Sequence, residues 1–314
     1  MVLQSGSAAY ARPGPPPQVF WPLAAAGLCI VLMLVGAAAA WGQDSEYRWS
    51  VSPYVGLQQP SLTQVNESFV APYAGVGTLV DVLGNGITQR FTYPTPLAPL
   101  NPGTLAGLEF RYQISDRQSF LFGAADWEAS ASTSTLGTMP IQGSVAGISS
   151  VRNGDIRYTE FYLGWRYDIL HKPKKYSLYV TAQLHDVYDV NYQDTFTMVY
   201  TSGPAVTFRK TTVTTAHGTG LPVIQPTLGG EWFVLDWLSF GLEGGYDFGL
   251  RQINLNHAVQ NTDILDTDDL TLNPPVTVGT NGVLNCQCRP GGPPLPLKVD
   301  FNGWKMLLKA SLYF

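Results

Sequence analysis

From about Arg48 to the carboxyl terminus, apolar and polar residues alternate with a period of two. That is the pattern of strands whose two faces meet different environments. It is clearest at the end of the chain. Trp304, Met306, Leu308, Ala310, Leu312 and Phe314 fall on one face, and Lys305, Leu307, Lys309, Ser311 and Tyr313 on the other. Leu238 to Leu250 repeats the arrangement: Leu238, Phe240, Leu242, Tyr246 and Phe248 oppose Ser239, Glu243, Asp247 and the glycines Gly241, Gly245 and Gly249.

Eight such segments can be counted, at about 48–58, 104–114, 118–129, 156–168, 176–189, 223–235, 238–250 and 302–314. Their lengths suit the roughly 9–11 residues that a tilted strand needs to cross a bilayer. The connections alternate between short and long. Short ones fall at Ser115-Asp116-Arg117, at His171 to Lys175 and at Asp236-Trp237; long ones cover about 59–103, 130–155, 190–222 and 251–301. Short turns at one end and long exterior loops at the other are the habit of outer-membrane barrels. A weak hairpin repeat supports the count, with Leu108-Glu109-Phe110-Arg111-Tyr112, Leu163-Gly164-Trp165-Arg166-Tyr167 and Leu228-Gly229-Gly230-Glu231-Trp232 each just before a short turn.

These features predict an all-β fold, a transmembrane antiparallel up-and-down β-barrel of eight strands. Ten is the alternative, if the long first and fourth loops hold extra short strands. A soluble sandwich would put its large apolar residues inside. Here the non-aromatic face mixes charge with glycine and would fill such a core badly.

Composition narrows the function. Only 13% of the 314 residues are charged, against about 25% in ordinary soluble domains, and 12% are aromatic. No segment after residue 43 is apolar enough for a spanning helix. The net charge of -5 supplies no basic field for nucleic acid. The apolar run Leu23 to Ala40 ends in small residues and predicts a signal peptide over 1–42, cleaved near 40–43, ahead of a barrel over 43–314. Cys29 lies within that run behind bulky Leu28, which does not suit lipid attachment.

The last strand, with Leu312 and a terminal Phe314, resembles the assembly signal of bacterial outer-membrane barrels. The rest is similar in strand pattern to the small eight-stranded class of the OmpA, OmpX and OmpW types. That resemblance implies residence in the bacterial outer membrane with loops facing the exterior, and outer-membrane lipid and the barrel-assembly machinery as partners. No phosphate loop or zinc motif appears, so no cofactor is expected.

Assigning the apolar face to lipid puts Glu109, Arg111, Glu160, Arg166, Gln183, His185, Glu231, Glu243, Asp247, Lys305 and Lys309 in the lumen. Arg111, Arg166, Glu231 and Lys309 are expected to share a level near the turns. Charges in a narrow lumen must pair or be solvated. They predict either a salt-bridge network that fills the barrel or the lining of a narrow pore.

On the lipid face, Trp49, Tyr112, Phe120, Tyr167, Tyr176, Trp232, Phe240 and Phe314 suit the turn-side interface. Tyr158, Tyr188, Tyr246, Phe248 and Trp304 suit the loop side. Cys286 and Cys288 could form a tight loop disulfide or stay a reactive pair. Asp263, Asp266, Asp268 and Asp269 lack calcium-loop spacing and read as a solvated acidic stretch. No catalytic, cofactor or metal motif appears. His185-Asp186 has no hydroxyl nucleophile beside it on the strand.

The first functional reading is a non-enzymatic outer-membrane barrel, a structural or surface-interaction protein with a side-chain-filled lumen. The second is a narrow channel for small or apolar solutes. The third is a lipid-modifying barrel enzyme.

Overall fold

The computed structural model describes residues 48–70, 74–80, 86–92, 100, 102–141, 144–202, 205–265, 276–286 and 293–314. The chain divides between Glu46 and Tyr47. The segment before that point, with the expected signal peptide and Cys29, lies outside the described residues.

In chain order the elements are β1 (Trp49–Pro60), α1 (Thr63–Val70), β2 (Ala74–Val80), β3 (Gly86–Thr92), β4 (Gly103–Ser115), β5 (Gln118–Ile141), β6 (Ser144–Lys172), β7 (Tyr176–Ser202), β8 (Ala205–Gly218) and β9 (Leu221–Leu235). They continue with β10 (Leu238–Gly249), β11 (Ile253–Asn254), β12 (Asn256–Leu265), β13 (Val276–Val278), β14 (Leu284–Cys286), β15 (Leu295–Pro296), β16 (Lys298–Val299) and β17 (Gly303–Tyr313).

Eight strands close a ring in the order β1, β4, β5, β6, β7, β9, β10, β17 and back to β1, all antiparallel. Each of the eight sequence segments supplies one of them. Closure is sealed at the termini of the sheet, where Trp49 and Phe314 exchange backbone hydrogen bonds of 3.0 and 2.9 Å. On this closing strand Leu312, paired with Val51 and Leu238, is buried, whereas the terminal Phe314 is exposed.

The side chains are distributed inside out relative to a soluble protein. Trp232, Leu228, Phe240, Leu242, Met306, Leu308, Phe161 and Leu163 are exposed on the outer wall, while most alternate residues of the same strands are buried polar or charged groups. An exposed apolar wall this continuous marks contact with an apolar medium. In a closed ring that leaves no sheet edge unpaired, it is the arrangement of an outer-membrane β-barrel. Without boiling, the protein should therefore migrate faster on a denaturing gel than after heating; identical migration in both states would contradict the closed ring.

The expected long loops differ from the sequence expectation in carrying strands of their own. The connections at about 130–155 and 190–222 are largely strand. β5 and β6 stay paired as far as Ile141 and Ser144, and the outer half of β7 pairs with β8, which in turn pairs with β12. The sheet thus holds ten strands, but its ring holds eight. β7 leaves the ring at Asp189, whose φ is 52°. There the register against β6 shifts between Arg157 and Thr159. The partner changes from β9 to β8 and the inward parity flips, so that Val187 and Val190 are both buried. A bulge of this kind bends a strand and re-aims its side chains.

Over the loop-side mouth sits an apolar cluster that includes Leu62, Val65 of α1, Trp127, Ile156, Leu297 and Phe301. Asp300 holds the start of α1, accepting from the Thr63 amide at 3.1 Å and from Ser61 Oγ at 2.9 Å.

Tyr158 belongs to this inner cluster and not to the loop-side aromatic level. It is 2% exposed, donates to Gln58 Oε1 at 2.6 Å, and packs against Trp127 and Phe301. It shares the face of Glu160, two residues on, so strand parity sends it inward. Tyr188, Tyr246, Phe248 and Trp304 are exposed on the outside.

Candidate functional site: the charged lumen

Because side chains alternate along each strand, every second ring position is forced into an interior just wide enough for side chains in an eight-stranded barrel. The charged ones gather in three tiers.

The tier nearest the turns is centred on Glu231 of β9. Arg111 of β4 and Arg166 of β6 reach its Oε2 at 3.1 and 2.7 Å. Its Oε1 accepts from Ser239 at 2.5 Å and from the Tyr313 hydroxyl. Arg166 also pairs with Asp168 at 2.8 Å, and Ser177 donates to the same Asp168 oxygen at 2.5 Å. Both guanidiniums lie on aromatic faces, Arg166 at 3.7 Å from the Tyr179 ring centre and Arg111 at 4.7 Å from that of Tyr313, an arrangement that suits the planar, weakly hydrated guanidinium.

In the middle tier, Lys309 Nζ lies 2.8 Å from both Glu109 and Glu243. Tyr179 donates to Glu243 at 3.0 Å and Tyr162 to Glu109 at 3.3 Å. Three inward tyrosines pair across strands with glycines here: Tyr54 with Gly107, Tyr162 with Gly123 and Tyr179 with Gly229. Each ring lies over the bare backbone that its partner leaves, which brings the hydroxyl to the carboxylate level.

The loop-side tier joins Glu160 to Lys305 at 3.4 Å and to His185 Nδ1 at 3.2 Å. His185 Nε2 lies 3.0 Å from Gln183, and its ring stacks on Tyr162. Asp247 accepts from Gln58 at 2.5 Å and from Gln225.

The structure thus brings Glu109, Arg111, Glu160, Arg166, Glu231, Glu243, Asp247, Lys305 and Lys309 together inside the ring. Lys309 departs from the level expected for it: it sits one tier away from Arg111, Arg166 and Glu231. Sequence reasoning passed over Asp168, Tyr54, Tyr162 and Tyr179, although each stands an even number of residues from a charged lumen position on its own strand or opposite one.

Other candidate positions stand apart from this network. Asp186 points outward, away from its neighbour His185. Cys286 is buried and disulfide-bonded, while Cys288, Asp266, Asp268 and Asp269 lie outside the described residues. Asp263 is exposed on β12. Among the described residues no cluster could hold a metal ion.

Beyond the ring, Arg152 and Asp194 form a separate buried pair at 2.5 Å, with Tyr192 donating to Asp194 at 3.0 Å. Burial opposes the Arg152 charge, but Asp194 and Tyr192 together outweigh it and hold the guanidinium's pKa above its ordinary value. Burial and the same carboxylate push the Tyr192 phenol up.

No protein-family model matches the chain, and neither does any curated protein sequence. Among solved structures it is similar to CarO of Acinetobacter baumannii, with 10% identity, 78% of this chain and 99% of that one covered, and a TM-score of 0.31. It is also similar to the outer membrane protease OmpT from Escherichia coli, with 11% identity, coverage of 87% and 99%, and a TM-score of 0.30. A third is a Pseudomonas aeruginosa FadL homologue, with 8% identity, coverage of 84% and 90%, and a TM-score of 0.20.

Proposed function

We propose that the chain is a non-enzymatic outer-membrane barrel with a side-chain-filled lumen, a structural or surface-interaction protein. In this reading the ring anchors the exterior sheet of β8, β12 and the outer halves of β5, β6 and β7. The carrying observation is burial. None of the ten charged lumen residues, Asp168 included, is more than 8% exposed. Groups lining a water-filled pore would be wet, and aqueous pores use about sixteen strands. The apolar cluster across the mouth adds a second barrier.

A specific observation favours the narrow channel as the second reading. Across the three tiers, six carboxylates (Glu109, Glu160, Asp168, Glu231, Glu243, Asp247) face four lysine and arginine side chains (Arg111, Arg166, Lys305, Lys309). A water path through such an interior would favour cations. In planar bilayers the filled barrel should give only rare, small events, with cations carrying the current. Large, steady conductance would overturn the filled-lumen reading and make transport the function.

A further inference from the structure

The lipid-facing wall carries a groove of about 430 Å³ between β5, β6, β7 and β9, lined on its outer side by Phe122, Phe161, Leu163, Leu184, Asp186 and Pro222. Strand pairing fixes its layout. Asp186 stands between Phe161 and Pro222, and one step toward the turns Leu163 stands between Phe122 and Leu184. One step toward the loops, the same rows carry Asp126, Thr159 and Tyr188. There Thr159 donates to Asp126 at 2.6 Å, and Tyr188 is an exposed interfacial aromatic. The groove therefore runs from the polar interface into the apolar band, with a carboxylate at its upper end.

The Asp186 side chain is exposed and makes no hydrogen bond or ion pair with any described residue. A charge on the lipid face of a barrel is costly, by an amount that falls toward the interface. Pro222, opposite it, has no N–H to offer. An amphiphile with a cationic head offsets that cost. Its head would sit at interfacial depth against Asp186, and its chain would lie along Phe122, Leu163 and Leu184. An anionic amphiphile of equal length would meet a like charge. A second copy of this barrel could not supply the counter-ion from its own wall. Between the two aromatic levels, the outward-facing described residues of the ring include no lysine or arginine.

We propose that this groove binds an alkylammonium amphiphile, with Asp186 as counter-ion to a protonated amine and the groove wall as the seat of a single apolar chain. The amine can come from a membrane aminolipid or from a free alkylamine solute.

Spin-labelled stearylamine, stearic acid, phosphatidylethanolamine and phosphatidylcholine, each added to barrels in phosphatidylcholine vesicles, test it by the fraction of immobilised label. Wild type should prefer stearylamine over phosphatidylcholine by on the order of tenfold, given a carboxylate–ammonium pair at partly screened contact distance, and should not prefer stearic acid. Asp186→Asn should lose the preference. Leu184→Trp, which fills the groove and keeps the carboxylate, should lose it too. Both variants are first checked for heat modifiability, so that misfolding is not read as lost binding. Preference for labelled phosphatidylethanolamine as well assigns the site to a membrane lipid, and its absence assigns it to a solute. No amine preference in wild type, a preference that survives Asp186→Asn or Leu184→Trp, or concentration-dependent dimers that block the label would each overturn the proposal.

Discussion

Glu231→Gln should destabilise the barrel by about 3–5 kcal/mol, the usual cost of removing one partner from a buried ion pair. The amide keeps the shape of the side chain but removes the charge that both Arg111 and Arg166 use, at 3.1 and 2.7 Å. It also disturbs the acceptor for Ser239 and Tyr313. Arg166 retains Asp168, but Arg111 has no second carboxylate within ion-pair distance among the described residues. Glu243→Gln should cost less, because Lys309 keeps Glu109 at 2.8 Å. Urea titration of vesicle-inserted barrels, followed by the loss of the fast-migrating gel form, reads both variants on one scale. Unchanged stability in Glu231→Gln would mean that the tier is solvated, and the filled-lumen reading would fall with it.

Tier membership was legible in the sequence because strand parity is a strict rule. Once Phe240, Leu242, Trp304 and Leu308 are given to lipid, Glu243, Lys305 and Lys309 have no other place than the lumen. Tier height was not legible. Strands in a barrel are tilted and staggered, so counting residues from a turn does not give equal depth on different strands. That is why Lys309 meets Glu109 and Glu243 instead of Glu231.

The tyrosines were ambiguous for a different reason. Tyr176 and Tyr188 serve as interfacial rings, and Tyr54, Tyr162 and Tyr179 as lumen donors. Only parity separates the two uses, and Tyr158 shows what happens when composition is followed instead.

The exterior sheet escaped because apolar alternation reports the membrane and not the strand. Outside the apolar band the outward positions of β5 and β6 turn polar, at Asp126, Glu128, Thr159, Arg157 and Asp155, yet the backbone ladder continues to the hairpin tip. Past that boundary, Ala129 to Thr135 is entirely Ser, Thr and Ala. Along that stretch a period of two has little contrast to record. On β7 beyond the ring, however, Val190, Tyr192, Phe196 and Met198 are buried and alternate with polar residues, a signal whose parity flips at Asp189.

The neighbouring glycines Gly229 and Gly230 should respond oppositely to the same substitution. Gly229 faces the lumen, opposite Tyr179, and an added methyl group would lie 2.5 Å from the Tyr179 hydroxyl, well inside contact distance. The ring cannot swing aside freely, since its hydroxyl is bound to Glu243 at 3.0 Å and its face carries the Arg166 guanidinium. Overpacking a filled interior typically costs about 1–3 kcal/mol, and Gly229→Ala should fall in the upper part of that range because moving Tyr179 disturbs two tiers at once. At Gly230 a methyl group would meet no atom within 4 Å. There the side chain points to lipid and the glycine only adds backbone freedom to the unfolded chain, so Gly230→Ala should be neutral or stabilising by about 0.4–1 kcal/mol. Pairing Gly229→Ala with Tyr179→Leu should recover part of the loss, with a coupling above about 0.5 kcal/mol in a double-mutant cycle. Equal stability of the two alanine variants, or strict additivity in the cycle, would show that the tyrosine does not rest on the glycine. The tight interior on which the closed lumen depends would then lose its support.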